Sequence, residues 1–219
     1  MNLSRISGDT ERLLAALPQT LRGLAARGLP RSYRKNTVIL TEGEQGDSLF
    51  VLLQGRVKAF SNDEHGREIT YGVIDAGDYF GEMSLDGGVR SASIMTTEPC
   101  ICSVVSRQAV QEHLRQEPDF AISLVTQVIR RARSATETAR QMALLDVYGR
   151  VIHVLENEQG AGSAQAPVEL TQITHQQIAS RVGASREMVS RLLKDLEKGG
   201  YVELGVKRIT LKKKLPARW

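Results

Sequence analysis

Cysteine is scarce in this chain, with two among 219 residues. That number excludes a disulfide framework and fits a reducing compartment, so a cytoplasmic location is expected. Long hydrophobic runs are missing too. Uncharged apolar stretches such as Val51-Leu52-Leu53 fall far below the roughly 18 residues a membrane span requires, so no membrane partner is expected. No basic, then apolar, then small-residue leader opens the chain, and export is not expected. His65, His113, His153 and His175 are scattered without metal spacing. Cys100 and Cys102 lie two apart in a β-prone run, point to one face and read as buried thiols. No metal site and no grouping of nucleophile, acid and base is legible, so an enzyme is not expected. What is present is ordinary for a globular protein: 41% hydrophobic and 25% charged residues, enough chain for one or two domains.

Charge is unevenly spread. Residues 1–140 hold 17 Lys+Arg against 17 Asp+Glu, whereas residues 141–219 hold 12 against 8. The whole formal excess of +4 therefore sits in the last third. A neutral front part and a basic rear part suit a protein that meets an acidic polymer with its rear.

Residues 10–28 place apolar side chains at helical spacing and are broken by Pro18, which predicts two short helices. From Ser32 the texture changes to short β-prone runs, 38–40, 48–53, 56–60 and 68–74, separated by turn residues. After a loop at 82–89, residues 91–96 and 100–105 add two more. Strands at this spacing predict an antiparallel sandwich or jelly-roll barrel. Around Ser106 the period becomes helical. Residues 119–157 contain no proline and only Gly149, so one helix of up to ten turns is possible. Val125, Val128, Ala132, Ala135, Ala139 and Met142 follow alternating spacings of three and four, an a/d seam that predicts a dimer. Residues 160–167 (GAGSAQAP) read as a linker.

Beyond the linker the pattern is a short helix at 174–182, a Gly183-Ala184-Ser185 turn, a longer helix at 186–198 and a hairpin. That is a winged helix-turn-helix. Ile178, Ala179, Val182, Val189, Leu192 and Leu193 supply its apolar contacts, and Ser185 is a fitting N-cap. Arg186, Glu187, Ser190 and Arg191 lie on the other side. Arginine can bind guanine O6/N7 twice and glutamate can accept from cytosine N4. Lys194, Lys207, Arg208 and Lys212 suit phosphates. Thr174 and His175, which open the first helix, join the DNA-facing set.

Residues 80–92 (FGEMSLDGGVRSA) form the other informative stretch. Gly81, Gly87 and Gly88 let backbone N–H groups approach an anion. Arg90 offers a charged fork, Ser91 a hydroxyl, and Glu82 an acceptor for a sugar hydroxyl.

Three stretches in order resemble the cyclic-AMP receptor/FNR (CRP/FNR) family of bacterial transcription regulators over essentially the whole chain. They are Gly81-Glu82 with Arg90-Ser91-Ala92, residues 144–150 (LLDVYGR), and residues 178–194 (IASRVGASREMVSRLLK). The resemblance implies an α+β protein with an N-terminal β-roll (double-stranded β-helix, jelly-roll-like) effector domain over 1–117. A long dimerisation helix with a hinge near Asp146 would span 118–157, and a C-terminal winged helix-turn-helix 158–219. It also implies that Glu82 binds ribose, Arg90 and Ser91 the cyclic phosphate, and Gly81 and Ala92 contribute backbone groups. The family's adenine-contacting Thr-Ser pair falls on Ala135 and Thr136, so one hydroxyl is missing. The segment from Glu82 to Arg90 is also shorter than in the best-known cyclic-AMP binder. Arg186, Glu187 and Arg191 match the base-reading triplet of the cyclic-AMP branch, while Ser190 is more like the FNR branch. Cys100 and Cys102 do not supply the cysteine cluster of the iron–sulfur branch. Implied partners are double-stranded DNA, a second copy of the chain and RNA polymerase. No covalent cofactor is expected, and the implied effector is a cyclic nucleotide, cyclic AMP-like. Cyclic di-GMP or no nucleotide stays open, as does a ligand-sensing dimer without DNA function.

Overall fold

The computed structural model describes residues 3–158 and 167–216, with side chains from Thr10 onward. The expected linker at 160–167 lies outside the described residues except for Pro167. Two compact units form, residues up to 61 with 71–132, and residues 62–70 with 133 onward.

The first unit opens with α1 (Leu3–Ala16) and α2 (Gln19–Ala25). Pro18 separates them because its ring cannot continue α1 yet suits the entry to α2. Eight strands follow: β1 (Leu29–Tyr33), β2 (Val38–Leu40), β3 (Ser48–Gln54), β4 (Arg56–Asn62), β5 (Glu68–Asp75), β6 (Tyr79–Phe80), β7 (Ser93–Thr96) and β8 (Cys100–Ser106). They make two four-stranded sheets, ordered β1-β8-β3-β6 and β2-β7-β4-β5. Strand β1 goes beyond the sequence reading. Pro30 masks it, and the missing N–H is tolerated because β1 is an edge strand.

Strand β3 shows why this layer holds together. Phe50 and Leu52 point between the sheets, among Leu40, Val57, Phe80, Ile94 and Cys102. Leu49, Val51 and Leu53 point the other way, onto Leu21, Leu24, Val110 and Phe120 of the helices. Both faces of one strand are thus dry, each side chain contributing about 1.5–3 kcal/mol. Phe50 and Phe80 stack with centroids 5.1 Å apart. Cys100 and Cys102 are free and buried, and burial pushes the Cys102 thiol up to about 12. Helix α3 (Arg107–Gln116) starts where the Ser106 hydroxyl accepts from the Ala109 N–H at 3.2 Å.

The possible single helix over 119–157 is two helices, α4 (Pro118–Leu144) and α5 (Val147–Glu158). Asp146 makes the break. Its Oδ1 accepts from the Gly149 N–H at 2.7 Å, an N-cap that starts a new helix where proline-free sequence allowed continuation. The second unit continues with β9 (Val168–Thr171), α6 (His175–Val182), α7 (Arg186–Lys198), β10 (Val202–Gly205) and β11 (Arg208–Leu211). The wing is a three-stranded sheet in the order β10-β11-β9, not a two-stranded hairpin alone. Leu155, Ile178, Val189, Leu193, Leu196 and Ile209 fill its core. No helix among the described residues is long and apolar enough to cross a membrane.

Candidate effector site and nucleic-acid interface

Strands β6 and β7 are joined by a segment that begins with a 3₁₀ turn at Glu82–Ser84. Gly81 enters it with φ 84°, and a Cβ there would lie 2.7 Å from Arg90 Nη1. The positive φ favours glycine, and a side chain there would also displace the Arg90 guanidinium. Arg90 is drawn inward to 6% exposure. Its Nη1 donates to Ser48 O at 3.0 Å, Gly81 O at 2.9 Å and Ser84 Oγ at 2.7 Å. All three acceptors are neutral. Among the described residues no carboxylate lies within ion-pair distance of this guanidinium. Burial lowers its pKa, against the more distant fields of Asp47 and Glu82. Ser91 is exposed beside it, its hydroxyl 3.3 Å from Met83 Sδ, and Ala92 is half-buried.

Glu82, expected as an acceptor for a sugar hydroxyl, already holds an ion pair. Its side chain is 3% exposed, and Oε2 sits 2.6 Å from Arg131 Nη1 on α4. A carboxylate this dry needs a counter-charge, which a solvent-facing acceptor would not. Arg131 Nη2 also donates to Tyr79 O at 2.6 Å, and Gln127, one turn earlier on α4, donates to Asp78 Oδ2 at 2.9 Å. Arg131 and Gln127 escaped the sequence reading. The run Arg130-Arg131-Ala132-Arg133 looks like a solvated face, and only the i, i+4 spacing of 127 and 131 hints at a shared side. Ala135 and Thr136 belong to the other compact unit, where both are exposed on α4. The seam is uncovered as well: Val125 is 57% and Val128 42% exposed, with Ile122 and Ile129 beside them.

The helix-turn-helix is built by its caps. Thr174 Oγ1 accepts from Gln177 N–H at 3.2 Å while Gln177 Oε1 accepts from Thr174 N–H at 2.8 Å, a capping box that starts α6. Gly183 ends α6 at φ 63°. The Ser185 hydroxyl accepts from Met188 N–H at 3.2 Å and starts α7. Thr174 and Ser185 therefore hold backbone. Arg186, Glu187, Arg191 and Lys194 are exposed along α7, opposite buried Val189, Leu193 and Leu196. Ser190 is half-buried, sharing a 2.8 Å hydrogen bond with His175 Nδ1. Lys207 sits in the wing turn at φ 53°. Two expected phosphate ligands are engaged elsewhere: Lys212 pairs with Glu203 at 2.8 Å, and Arg208 lies 3.9 Å from Glu169. Facing strands put opposite charges side by side, which the linear sequence does not display. At the hinge, Arg150 Nη1 donates to Leu145 O at 2.7 Å and Nε to Val182 O at 2.9 Å, tying the break in the long helices to the end of α6.

Comparison with known proteins follows this division. Residues 30–117 match the cyclic nucleotide-binding domain family, and residues 149–214 the Crp-like helix-turn-helix domain family. The cAMP-activated global transcriptional regulator CRP of Pasteurella multocida is 33% identical over 174 residues, spanning 75% of this chain and 81% of the relative. The chain belongs to the CRP/FNR family of transcription regulators. Within this family, the regulator Vfr of Pseudomonas aeruginosa, also described as cAMP-activated, is 33% identical over 186 residues, covering 80% and 85% of the two chains. The fold is shared with the c-di-GMP responsive global regulator CLP of Xanthomonas campestris, at a TM-score of 0.78, 24% identity and coverage of 89% and 98%. As a CRP/FNR member the protein is a DNA-binding transcription regulator, not an enzyme.

Proposed function

We propose that the protein is a homodimeric, cytoplasmic regulator whose grip on double-stranded DNA is set by a cyclic nucleotide in the β-roll. The observation that carries this is Arg90, a guanidinium at 6% exposure with neutral acceptors alone. Asp47 and Glu82 act on this charge only from beyond ion-pair distance, so its desolvation is incompletely offset, and a phosphate beside it would add charge-assisted hydrogen bonds. Ser91, Gly81 and Ala92 border the same place, and the family resemblance assigns Ala135 and Thr136 to the base. Arg186, Glu187 and Arg191 read base edges in the major groove, with Thr174, His175, Ser185, Ser190, Lys194 and Lys207 positioning the duplex. The exposed α4 seam is the surface for the second copy, and RNA polymerase is the partner through which DNA binding acts. Cyclic AMP is the first candidate effector, by analogy with the cAMP-activated relatives.

Pairing of Glu82 with Arg131 supports a second reading, in which cyclic di-GMP or no nucleotide is the effector, because one oxygen of the ribose acceptor, Oε2, is already engaged. Calorimetric titration with cyclic AMP, cyclic GMP and cyclic di-GMP separates the two. Arg90→Ala is expected to weaken the binding nucleotide ten- to hundredfold, about 1.5–3 kcal/mol, whichever base it carries. Unchanged affinity in that variant would sink the phosphate assignment.

A further inference from the structure

One histidine of the helix-turn-helix is placed for more than packing. Arg186, Ser190 and Lys194 recur every four residues along α7 and so form one stripe, exposed at Arg186 and Lys194 and half-buried at Ser190. His175, first residue of α6, docks on the middle of that stripe through Nδ1 and the Ser190 hydroxyl, 2.8 Å apart. Charged groups acting on its ring from α7 are Arg186 and Lys194, both cationic. On α5, packed against α6, Arg150 is engaged with Val182 O and Glu158 with Arg181. Glu187 lies beside Arg186 in the first turn of α7, yet among the described residues no carboxylate is within ion-pair distance of Arg186 or Lys194, and an arriving anion would supply that charge.

We propose that His175 is a proton-coupled phosphate clamp: as imidazolium it donates Nδ1–H to Ser190 and Nε2–H to a backbone phosphate, so each reading unit takes up one proton from solvent when DNA binds. This rests on the reading that α6 and α7 face DNA. In the neutral Nε2–H tautomer the Ser190 hydroxyl donates to Nδ1 and the ring offers a phosphate an uncharged donor, whereas the protonated ring donates from both nitrogens and adds a positive charge beside the anion. In the free protein, burial first and then Arg186 and Lys194 hold the ring below its usual pKa, so it is neutral near pH 7. A phosphate reverses the second cause. Its pKa rises on binding, protons are taken up, and affinity falls as pH rises through the range between the free and bound values.

The test uses full-length protein and a random-sequence duplex at constant salt, since a phosphate contact is independent of sequence. Wild-type affinity is expected to fall between about pH 6 and pH 8 by up to tenfold per reading unit beyond any fall seen in His175→Gln. His175→Arg, with a fixed charge, is expected to keep its pH 6 affinity at pH 8. Calorimetry of the wild type in phosphate and in Tris reports the proton uptake directly, as a difference in binding enthalpy set by the buffers. Equal pH slopes in wild type and His175→Gln, with no buffer-dependent enthalpy, would overturn the clamp while leaving DNA binding intact. A wild type that binds no duplex at either pH would instead overturn the underlying placement of DNA on α6 and α7.

Discussion

Single side chains carry most of the chemistry in this protein, and their burial decides what each can do. His113 is 3% exposed and packs on Phe120 at 5.1 Å and close to Gly23, with neither ring nitrogen in good hydrogen-bond geometry. The Thr20 backbone and Glu117 slightly favour the charged form, but burial and Arg27 outweigh them and lower its pKa. A histidine lowered on folding binds its proton more readily when unfolded. Its contribution to stability is therefore full above the usual 6.5 and is lost as pH falls below that value. Urea unfolding between pH 7 and 5 is expected to show that loss in the wild type and a flatter profile in His113→Leu. Arg191 is the corresponding residue at the DNA surface. Arg191→Ala is expected to weaken binding to a selected operator by about 1–3 kcal/mol while barely changing affinity for random DNA. Lys207→Ala should weaken both and flatten the salt dependence, measured by titrating potassium chloride. Equal losses on operator and random DNA for Arg191→Ala would remove it from base reading.

Among the elements, α4 has two faces with different obligations. Phe120 is buried and Arg131 satisfies Glu82, so one side belongs to the β-roll. Ile122, Val125, Val128 and Ile129 are left uncovered, more apolar surface than a solvated helix normally leaves facing water. A second copy of α4 is the proposed cover, since two half-sites one helical turn apart need two reading helices. Replacing Val128 and Ala135 with Asp is expected to give monomers by light scattering and to abolish operator binding, with the fold checked by circular dichroism. A wild type that is monomeric at micromolar concentration would defeat the seam. The wing shows a related economy. Lys212–Glu203 and Arg208–Glu169 hold strands together by charge, whereas Lys207 at the turn makes no ion pair among the described residues.

At the scale of the whole molecule, the proposed function has effector and DNA acting on one equilibrium, which would make their effects reciprocal. Whatever factor a saturating nucleotide applies to DNA affinity, saturating DNA must apply to nucleotide affinity. Two titrations, each ligand with and without the other, are expected to agree within error, and Arg150→Ala is expected to shrink the factor because it unties Leu145 from Val182. Much of this architecture was readable before any coordinates. Periodicity of two and then 3.6, the turn glycine at 183, the Ser185 cap and the family's three motifs determined the order of β-roll, long helix and winged helix-turn-helix, because these are local properties of backbone and side chain. Strand β9 and the edge strand β1 with its Pro30 were harder, since a short strand carries little pattern of its own, and the interruption near Asp146 came from the resemblance and not from periodicity, because a single cap leaves no pattern. Only the folded chain decided that Glu82 meets Arg131, that Arg90 is held by neutral acceptors with Asp47 and Glu82 farther off, and that His175 rests on Ser190. Each joins residues distant in sequence, and burial sets the value of a charge only when the neighbours that exclude water are in place.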